Sequence, residues 1–241
     1  MAIVWHCALD VKGYVAAGAD LEVPRTRCPD CRQPMIWWSR YGRYVREGVV
    51  RKMQIRRAKC VPCARTHALL PAFLLLRRLD PVAVIGEALA SAVRGVGARA
   101  VATRLDVPHS TARDWSRRHQ RRAGMLSAGF SAVAVDLGGA HVPLPADAAQ
   151  ASLTAMGAAW QQAQQRFGAT VVELWRFVSA VTGGELLGTT TSPPWAGVGG
   201  RRFMPPTPPS PQPRSPPCPP TTPKPPPSSA TRSLRQRSIR G

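Results

Sequence analysis

Two pairs of cysteines carry the residue types and the spacing best suited to chemistry in this chain. They read Cys28-Pro-Asp-Cys31 and Cys60-Val-Pro-Cys63, with 28 residues between the pairs. A C-x-x-C segment places two thiolates on one tight turn, and two such turns supply the four soft ligands that a tetrahedral zinc ion prefers. We therefore predict a closed, structural zinc site whose ligands are Cys28, Cys31, Cys60 and Cys63.

Other roles for these cysteines fit the sequence less well. Disulfides require an oxidising compartment, and residues 1–6 lack the basic start and long apolar run of a secretory signal. A redox C-x-x-C stands at the start of a helix in a βαβ unit, and no such pattern surrounds either pair. Inert buried thiols are a further alternative, and His67 is a candidate substitute ligand.

The residues between the two pairs predict a β-hairpin. Residues 35–45 are rich in aromatic and β-branched side chains, and residues 51–59 interleave apolar with basic ones. Gly42 or Gly48 could turn the chain between them. We expect the aromatic side chains to cover a small core beside the metal rather than to stack on bases. Residues 24–79 are thus predicted to form a zinc-ribbon-like module and the entry segment that follows it.

The charge of the chain favours a polyanionic partner. It has 33 Lys and Arg against 13 Asp and Glu, a net charge of +20. Nearly all the basic residues are Arg, which can bind phosphate or guanine through a bidentate fork. An Arg-rich composition also follows from GC-rich coding, so charge alone does not identify the partner. No apolar run is long enough for a membrane span, and a cytoplasmic protein is predicted.

Residues 80–123 predict a helical unit whose first helix starts at Asp80-Pro81. Asp80 suits the N-cap and Pro81 the first helical position. The apolar residues that follow recur at helical spacing, and glycines at 95 and 97 end the run. The face consists of Val82, Ile85, Leu89 and Val93.

A helix-turn-helix pattern follows. Residues 98–105 predict a short helix, after which Asp106 takes a left-handed turn position and Pro108 prevents the helix from continuing. Ser110 is the expected N-cap of the second helix, and Ala112 and Trp115 turn inward. In a helix-turn-helix, the second helix lies in the major groove of duplex DNA.

The second helix carries the predicted DNA contacts. Arg113 and Arg117 are expected to pair with guanine edges in the groove. Phosphate contacts are expected from Ser110, Thr111, Arg118, Arg121 and Arg122. His109 and His119 lie in the same basic region, where nucleic-acid contact or solvent exposure is the expectation. The alternative is an ordinary helical hairpin whose arginines face solvent.

Residues 24 to about 123 resemble the DNA-binding head of insertion-sequence transposases and of small zinc-ribbon plus helix-turn-helix proteins related to them. The motifs that carry the likeness are the two C-x-x-C pairs, residues 65–71, and the pattern from Val101 to Trp115. Asp106 stands where a glycine is usual in that turn. The resemblance implies a zinc-dependent fold and binding to double-stranded DNA, in a transcription regulator or a transposon-associated protein.

A catalytic half is not expected. A transposase nuclease core needs three carboxylates around two metal ions, and the acids after the helical unit are Asp136, Asp147, Glu173 and Glu185. Residues 131–136 resemble a strand that ends in a metal-binding Asp, but too few structured residues follow. We predict a non-enzymatic protein. The alternatives are a truncated or partial insertion-sequence transposase that lacks its nuclease core, and an RNA-binding ribbon protein.

The remaining segments complete the predicted organisation. Residues 1–23 are uncertain, with a strand followed by a helix or loop. Residues 124–191 are predicted to be a C-terminal helical segment. Two helices within residues 146–182, separated by Gly168, are expected to pack their apolar faces on the head or to form a homodimer interface. Residues 192–241 hold 16 of the 25 prolines and no acids, which predicts a disordered tail. The predicted class is α+β, mostly α.

Overall fold

A computed structural model of the chain describes residues 2–171 and 173–188. The fold is mixed α+β, with a four-stranded sheet followed by a set of packed helices. The elements in chain order are β1 (Ala2–Trp5), α1 (Val11–Ala17), β2 (Ile36–Glu47), β3 (Val49–Lys59), β4 (Thr66–Pro71), α2 (Val82–Val93), α3 (Ala98–Leu105), α4 (His109–Asp136), α5 (Ala148–Phe167) and α6 (Leu174–Val181). Within these ranges, no helix combines the length and apolarity needed to cross a membrane. The predicted tail at 192–241 lies outside the described residues.

The sheet has the strand order β1-β4-β3-β2. Strands β2 and β3 form the predicted hairpin, which turns at Gly48, where φ is +69°. Gly42 lies within β2, opposite Gln54. Strand β1 pairs in parallel with β4 and joins the N-terminal segment to residues 66–71. This pairing was not predicted, because the two strands lie more than 60 residues apart in the chain.

Two hydrophobic cores lie side by side in the described chain. The first lies against the sheet, and its buried side chains include Trp5, Tyr14, Val45, Ile55 and Leu69. The second lies among the helices and includes Ile85, Leu89, Trp115, Phe130 and Met156. Helices α5 and α6 contribute to this second core, as expected if they pack on the head. A homodimer stays a prediction.

The start of α2 differs from the prediction. Pro81 is the N-cap residue and the helix begins at Val82, so Asp80 is not the cap. The Asp80 carboxylate is buried and receives two hydrogen bonds from Arg46 of β2, at 2.7 and 3.0 Å. The local sequence predicted a helix cap because Arg46 lies 34 residues away from Asp80 in the chain. In the fold, Asp80 instead forms an ion pair that links the hairpin to the start of α2.

Helix α4 is longer than predicted and starts earlier. Pro108 is its N-cap residue, so Ser110 lies inside the first turn and is not the cap. The helix continues unbroken to Asp136, so residues 131–136 are helical and do not form the strand that their pattern resembles. His119 is buried and its Nε2 lies 2.8 Å from Ser152 Oγ on α5, so the expected exposure of His119 is also wrong. Burial lowers the pKa of His119 to about 4.

Candidate metal centre and basic helix face

Each C-x-x-C pair forms a turn that is closed by the same backbone hydrogen bond. The N–H of Cys28 donates to the carbonyl of Gln33 at 2.9 Å, and the N–H of Cys60 donates to the carbonyl of Arg65 at 2.8 Å. The first turn lies between α1 and the hairpin, and the second joins β3 to β4. The hairpin therefore carries the chain from one turn to the other.

Both turns contain a left-handed residue at the same position, directly after the second cysteine. The φ angle is +61° at Arg32 and +55° at Ala64. A non-glycine residue in this region costs on the order of 1 kcal/mol, so the surrounding contacts must hold it there. Sequence reasoning missed these residues because neither is glycine.

The four cysteine sulfurs all lie within 4.8 Å of one another. The Sγ atoms of Cys31 and Cys60 are 3.4 Å apart. Zn–S bonds of about 2.3 Å would place the sulfurs of a tetrahedron roughly 3.8 Å apart. Cys28 and Cys60 are buried, and Cys31 and Cys63 are half-buried. The predicted ligands are thus close enough to hold a metal ion, and all four are free thiols.

The thiols influence one another's protonation. Hydrogen bonds, chiefly with Cys63, lower the pKa of Cys31 to about 7. The same contact with Cys31, together with burial, raises the pKa of Cys63 to about 12. One thiol of the cluster is therefore readily ionised near neutral pH, and thiolate is the form that binds a metal.

His67 lies next to the cysteine cluster on β4. Its Nε2 is 3.8 Å from Cys28 Sγ, its side chain is fully buried, and its Nδ1 has no hydrogen-bond partner among the described residues. Cys28, Asp30 and His67 form a second group close enough to hold a metal ion. Asp30 also accepts a hydrogen bond from Arg65 at 2.9 Å. His67 is thus either a neighbour that donates to a cysteine ligand or a ligand itself.

Substitution of His67 separates these two roles. If the four cysteines are the ligands, His67→Ala will keep one metal ion per chain but bind it about 10- to 100-fold more weakly, because a neighbouring hydrogen-bond donor is lost. Competition with a chromophoric chelator measures the affinity. Complete loss of metal from a folded His67→Ala variant would instead make His67 a ligand.

Helices α3 and α4 pack through the side chains that the sequence indicated. Val101 and Ala102 of α3 and Ala112 and Trp115 of α4 are buried in the helical core. Between the helices, Asp106 has φ of +50° and ψ of +51°, the left-handed conformation that was predicted for it. The backbone N–H of the next residue returns to the carbonyl of Ala102 at 3.0 Å. The turn therefore fixes the direction of α4 relative to α3.

The exposed face of α4 carries part of the predicted contact set. Ser110, Arg113, Arg117 and Arg121 are exposed, and Thr111 is half-buried. Among the described residues, no carboxylate forms an ion pair with any of these three arginines. Their charges are thus available to an external anion.

Arg118 and Arg122 lie on a different side of α4, where they contact the protein itself. Arg118 donates to Asp114 at 2.7 Å, and Arg122 donates to the carbonyl of Gly188 at 3.1 Å. Burial lowers the pKa of Arg122. Their predicted phosphate contacts stay predictions, but each would have to change these internal contacts to reach DNA.

The hairpin exposes aromatic side chains that were expected to be covered. Trp38 is 54% exposed and Tyr44 is 57% exposed, so the expectation that the aromatics cover the core is wrong for both. Lys59 Nζ lies 4.4 Å from the centre of the Trp38 ring. Successive side chains of a strand point to opposite faces of the sheet, so the aromatic residues of this hairpin cannot all reach one core.

The acids after α4 do not form a third candidate site. In the described part of the chain, both groups able to hold a metal ion include Cys28, and neither contains more than one carboxylate. Asp136 is the exposed last residue of α4. The geometry therefore gathers cysteines, and not carboxylates, around a candidate metal position.

Part of the chain matches a protein family. Residues 21–122 match a family described as "Domain of unknown function (DUF6431)". The match covers less than half of the 241 residues, but it contains all four clustered cysteines, α2, α3 and the exposed arginines of α4. No curated protein and no solved structure matches the chain. The matched range thus contains both the metal centre and the basic helix face, and the description of the family assigns it no function.

Proposed function

We propose that this chain is a non-enzymatic, sequence-specific DNA-binding protein, stabilised by a structural zinc ion. In this proposal Cys28, Cys31, Cys60 and Cys63 hold the zinc. Four closely spaced thiolates favour zinc among the common divalent ions, and a full set of four protein ligands leaves no position for a catalytic water. The zinc joins the two C-x-x-C turns, and so holds the hairpin and β4 together.

The DNA-binding element in this proposal is the helix-turn-helix made by α3 and α4. The observation that carries it is the row of arginines on the exposed face of α4, directly after a left-handed turn, for which residues 2–171 and 173–188 supply no carboxylate partner. In such units the N-terminal residues of the second helix contact base edges. The net charge of +20 supports a polyanionic partner.

Position along α4 suggests a division of roles. Arg113 lies near the start of the helix, and Arg121 follows eight residues later, about 12 Å further along the axis. Arg113 and Arg117 would pair with guanine in the major groove, whereas Arg121 would reach the phosphate backbone. Ser110 and Thr111, in the first turn, would contact a phosphate near the helix N-terminus. A transcription regulator or a transposon-associated protein uses such a unit.

Two alanine substitutions test this division of roles. Arg113→Ala should cost about 1–3 kcal/mol on the preferred duplex and relax the base preference at one position. Arg121→Ala should weaken binding to all duplexes alike and reduce the salt slope by about one. Fluorescence anisotropy with a selected and a scrambled duplex, over a series of salt concentrations, measures both effects.

Arg25→Ala is a matched control, because Arg25 is exposed and lies outside the helix-turn-helix. It should change neither the base preference nor, appreciably, the salt slope. Equal effects of the Arg113 and Arg121 substitutions would contradict the assignment of α4 as the recognition helix. Mg²⁺-dependent nicking of supercoiled plasmid by the purified chain would contradict the non-enzymatic part of the proposal.

A further inference from the structure

An arginine-lined cleft opens between the hairpin, the segment after β4 and α4. It has a volume of about 1040 Å³. Five arginines line it: Arg43, Arg57, Arg77, Arg78 and Arg118. Glu185 is the one acid among the lining residues. None of these arginines except Arg118 was singled out by the sequence, because they come from three separate parts of the chain.

Several of these arginines are held in place by neutral partners. Arg43 donates to the carbonyl oxygens of Leu75, at 2.6 Å, and of Arg78. Arg57 donates to the hydroxyl of Thr66 at 2.6 Å. Carbonyl and hydroxyl oxygens fix a guanidinium group without cancelling its charge. Within the described chain, Arg43, Arg57 and Arg77 form no ion pair with a carboxylate.

The cleft therefore carries an excess of positive charge. Burial lowers the pKa of Arg43, and burial together with the neighbouring charge of Arg118 lowers the pKa of Arg78. Asp114 lies 3.9 Å from Arg78 and 2.7 Å from Arg118, so it is shared between these two. The Nε of Arg78 is buried and has no hydrogen-bond partner in the part of the chain that the structure describes. An anion in the cleft would relieve the repulsion between the guanidinium groups that line it.

The rim of the cleft carries aromatic hydroxyl groups. Tyr41 and Tyr44 line it, and they are 37% and 57% exposed. Tyrosine hydroxyls and arginines are common donors to the phosphate oxygens of DNA. The lining thus favours a phosphodiester chain, which combines charge with hydrogen-bond acceptors along its length.

The cleft lies on a flank of the proposed recognition helix. Arg117 is on the exposed face of α4, and Arg118, which follows it, lines the cleft. Consecutive residues of an α-helix point about 100° apart. A helix in the major groove, which is about 12 Å wide, has a phosphate strand on each flank.

We infer that this cleft binds the sugar–phosphate backbone of the duplex whose major groove α4 enters. This inference rests on the proposed function and adds the hairpin as a second DNA-contacting element. The hairpin and the segment after β4 supply sequence-independent affinity, while the start of α4 supplies base preference. The metal centre then has a role in binding, because it fixes the strands that carry Arg43 and Arg57.

The double variant Arg57→Gln/Arg77→Gln tests the inference. The slope of log K against log salt is negative, and each lost phosphate contact reduces its steepness by about 0.9. The double variant should therefore have a slope that is less steep by about two, with the base preference unchanged. Lys12→Gln/Arg25→Gln is the matched control, since it removes two exposed charges outside the cleft. It should leave the slope within about half a unit of wild type.

If the double variant does not fold, a single variant still tests the inference. Arg77 is exposed, so Arg77→Gln should keep the wild-type melting temperature and zinc content and lower the slope by about one. An unchanged slope in a folded Arg77→Gln variant overturns the inference.

Two further outcomes separate this inference from the proposed function. If wild type selects a duplex but the folded cleft variants keep its salt slope, the cleft inference alone fails. If wild type binds no duplex, the proposed function itself fails. Calorimetric titration with AMP tests whether the cleft binds a free nucleotide instead. Micromolar AMP binding that the double variant abolishes, together with an unchanged salt slope for DNA, would overturn the inference.

Discussion

Cys60→Ser will abolish zinc binding and unfold the sheet region of this protein. Cys60 is fully buried, and its sulfur lies 3.4 Å from that of Cys31. Serine oxygen is a poor replacement for a thiolate, so the site loses one of its four proposed ligands. The apparent binding free energy of structural zinc is on the order of 10 kcal/mol, and it contributes directly to folding. The small core beside the sheet cannot replace that contribution.

Two companion variants separate the loss of metal from the loss of packing. Cys31 is half-buried, so Cys31→Ser should lose zinc with little direct loss of packing. Cys7 is buried but is not part of the cluster, so Cys7→Ser should keep one zinc per chain and cost about 1–2 kcal/mol. Elemental zinc content and thermal melting measure these effects. Full metal content and unchanged melting of Cys60→Ser would contradict the zinc site.

Gly86→Ala is expected to destabilise the helical core strongly. A Cβ at Gly86 of α2 would lie 2.0 Å from two ring atoms of Trp175 on α6. The ring would have to leave its position, and overpacking of this kind costs about 3 kcal/mol. The higher helix propensity of alanine returns only about 1 kcal/mol. The melting temperature should therefore fall by roughly 4–8 °C.

Gly157→Ala is the matched control for this prediction. Gly157 lies within α5, and an added Cβ would meet no atom within 4 Å. The same substitution there should stabilise the protein by about 0.5–1 kcal/mol. The Gly86→Ala cost should also largely disappear in a Trp175→Ala background, because the clash is then removed. Equal melting shifts for the two glycine variants would contradict the α2–α6 packing.

The features that sequence predicted correctly are local. The C-x-x-C pairs keep two thiols on one turn whatever surrounds them, and both pairs contribute to the cluster. The left-handed conformation of Asp106 follows from its place between a short helix and Pro108. Buried Ala112 and Trp115 follow from helical spacing. The hairpin follows from two β-rich runs on either side of Gly48.

The features that sequence missed depend on distant partners. From local sequence Asp80 is predicted to cap α2, but it forms an ion pair with Arg46. His119 is likewise expected to be exposed, but it is buried against Ser152 of α5. The apolar and β-branched run at 131–136 alternates like a strand, but packing against α5 keeps it helical. The cleft arginines share no local motif, because the fold brings them together from the hairpin, the segment after β4 and α4.

Selection from a pool of random duplexes tests the central claim most directly. The zinc-loaded protein should enrich one short motif, and its affinity for that motif should fall steeply as salt rises. Arg113→Ala should enrich a motif with one relaxed position. No enrichment over the starting pool, together with no duplex binding at low salt, would contradict the claim that α4 reads DNA.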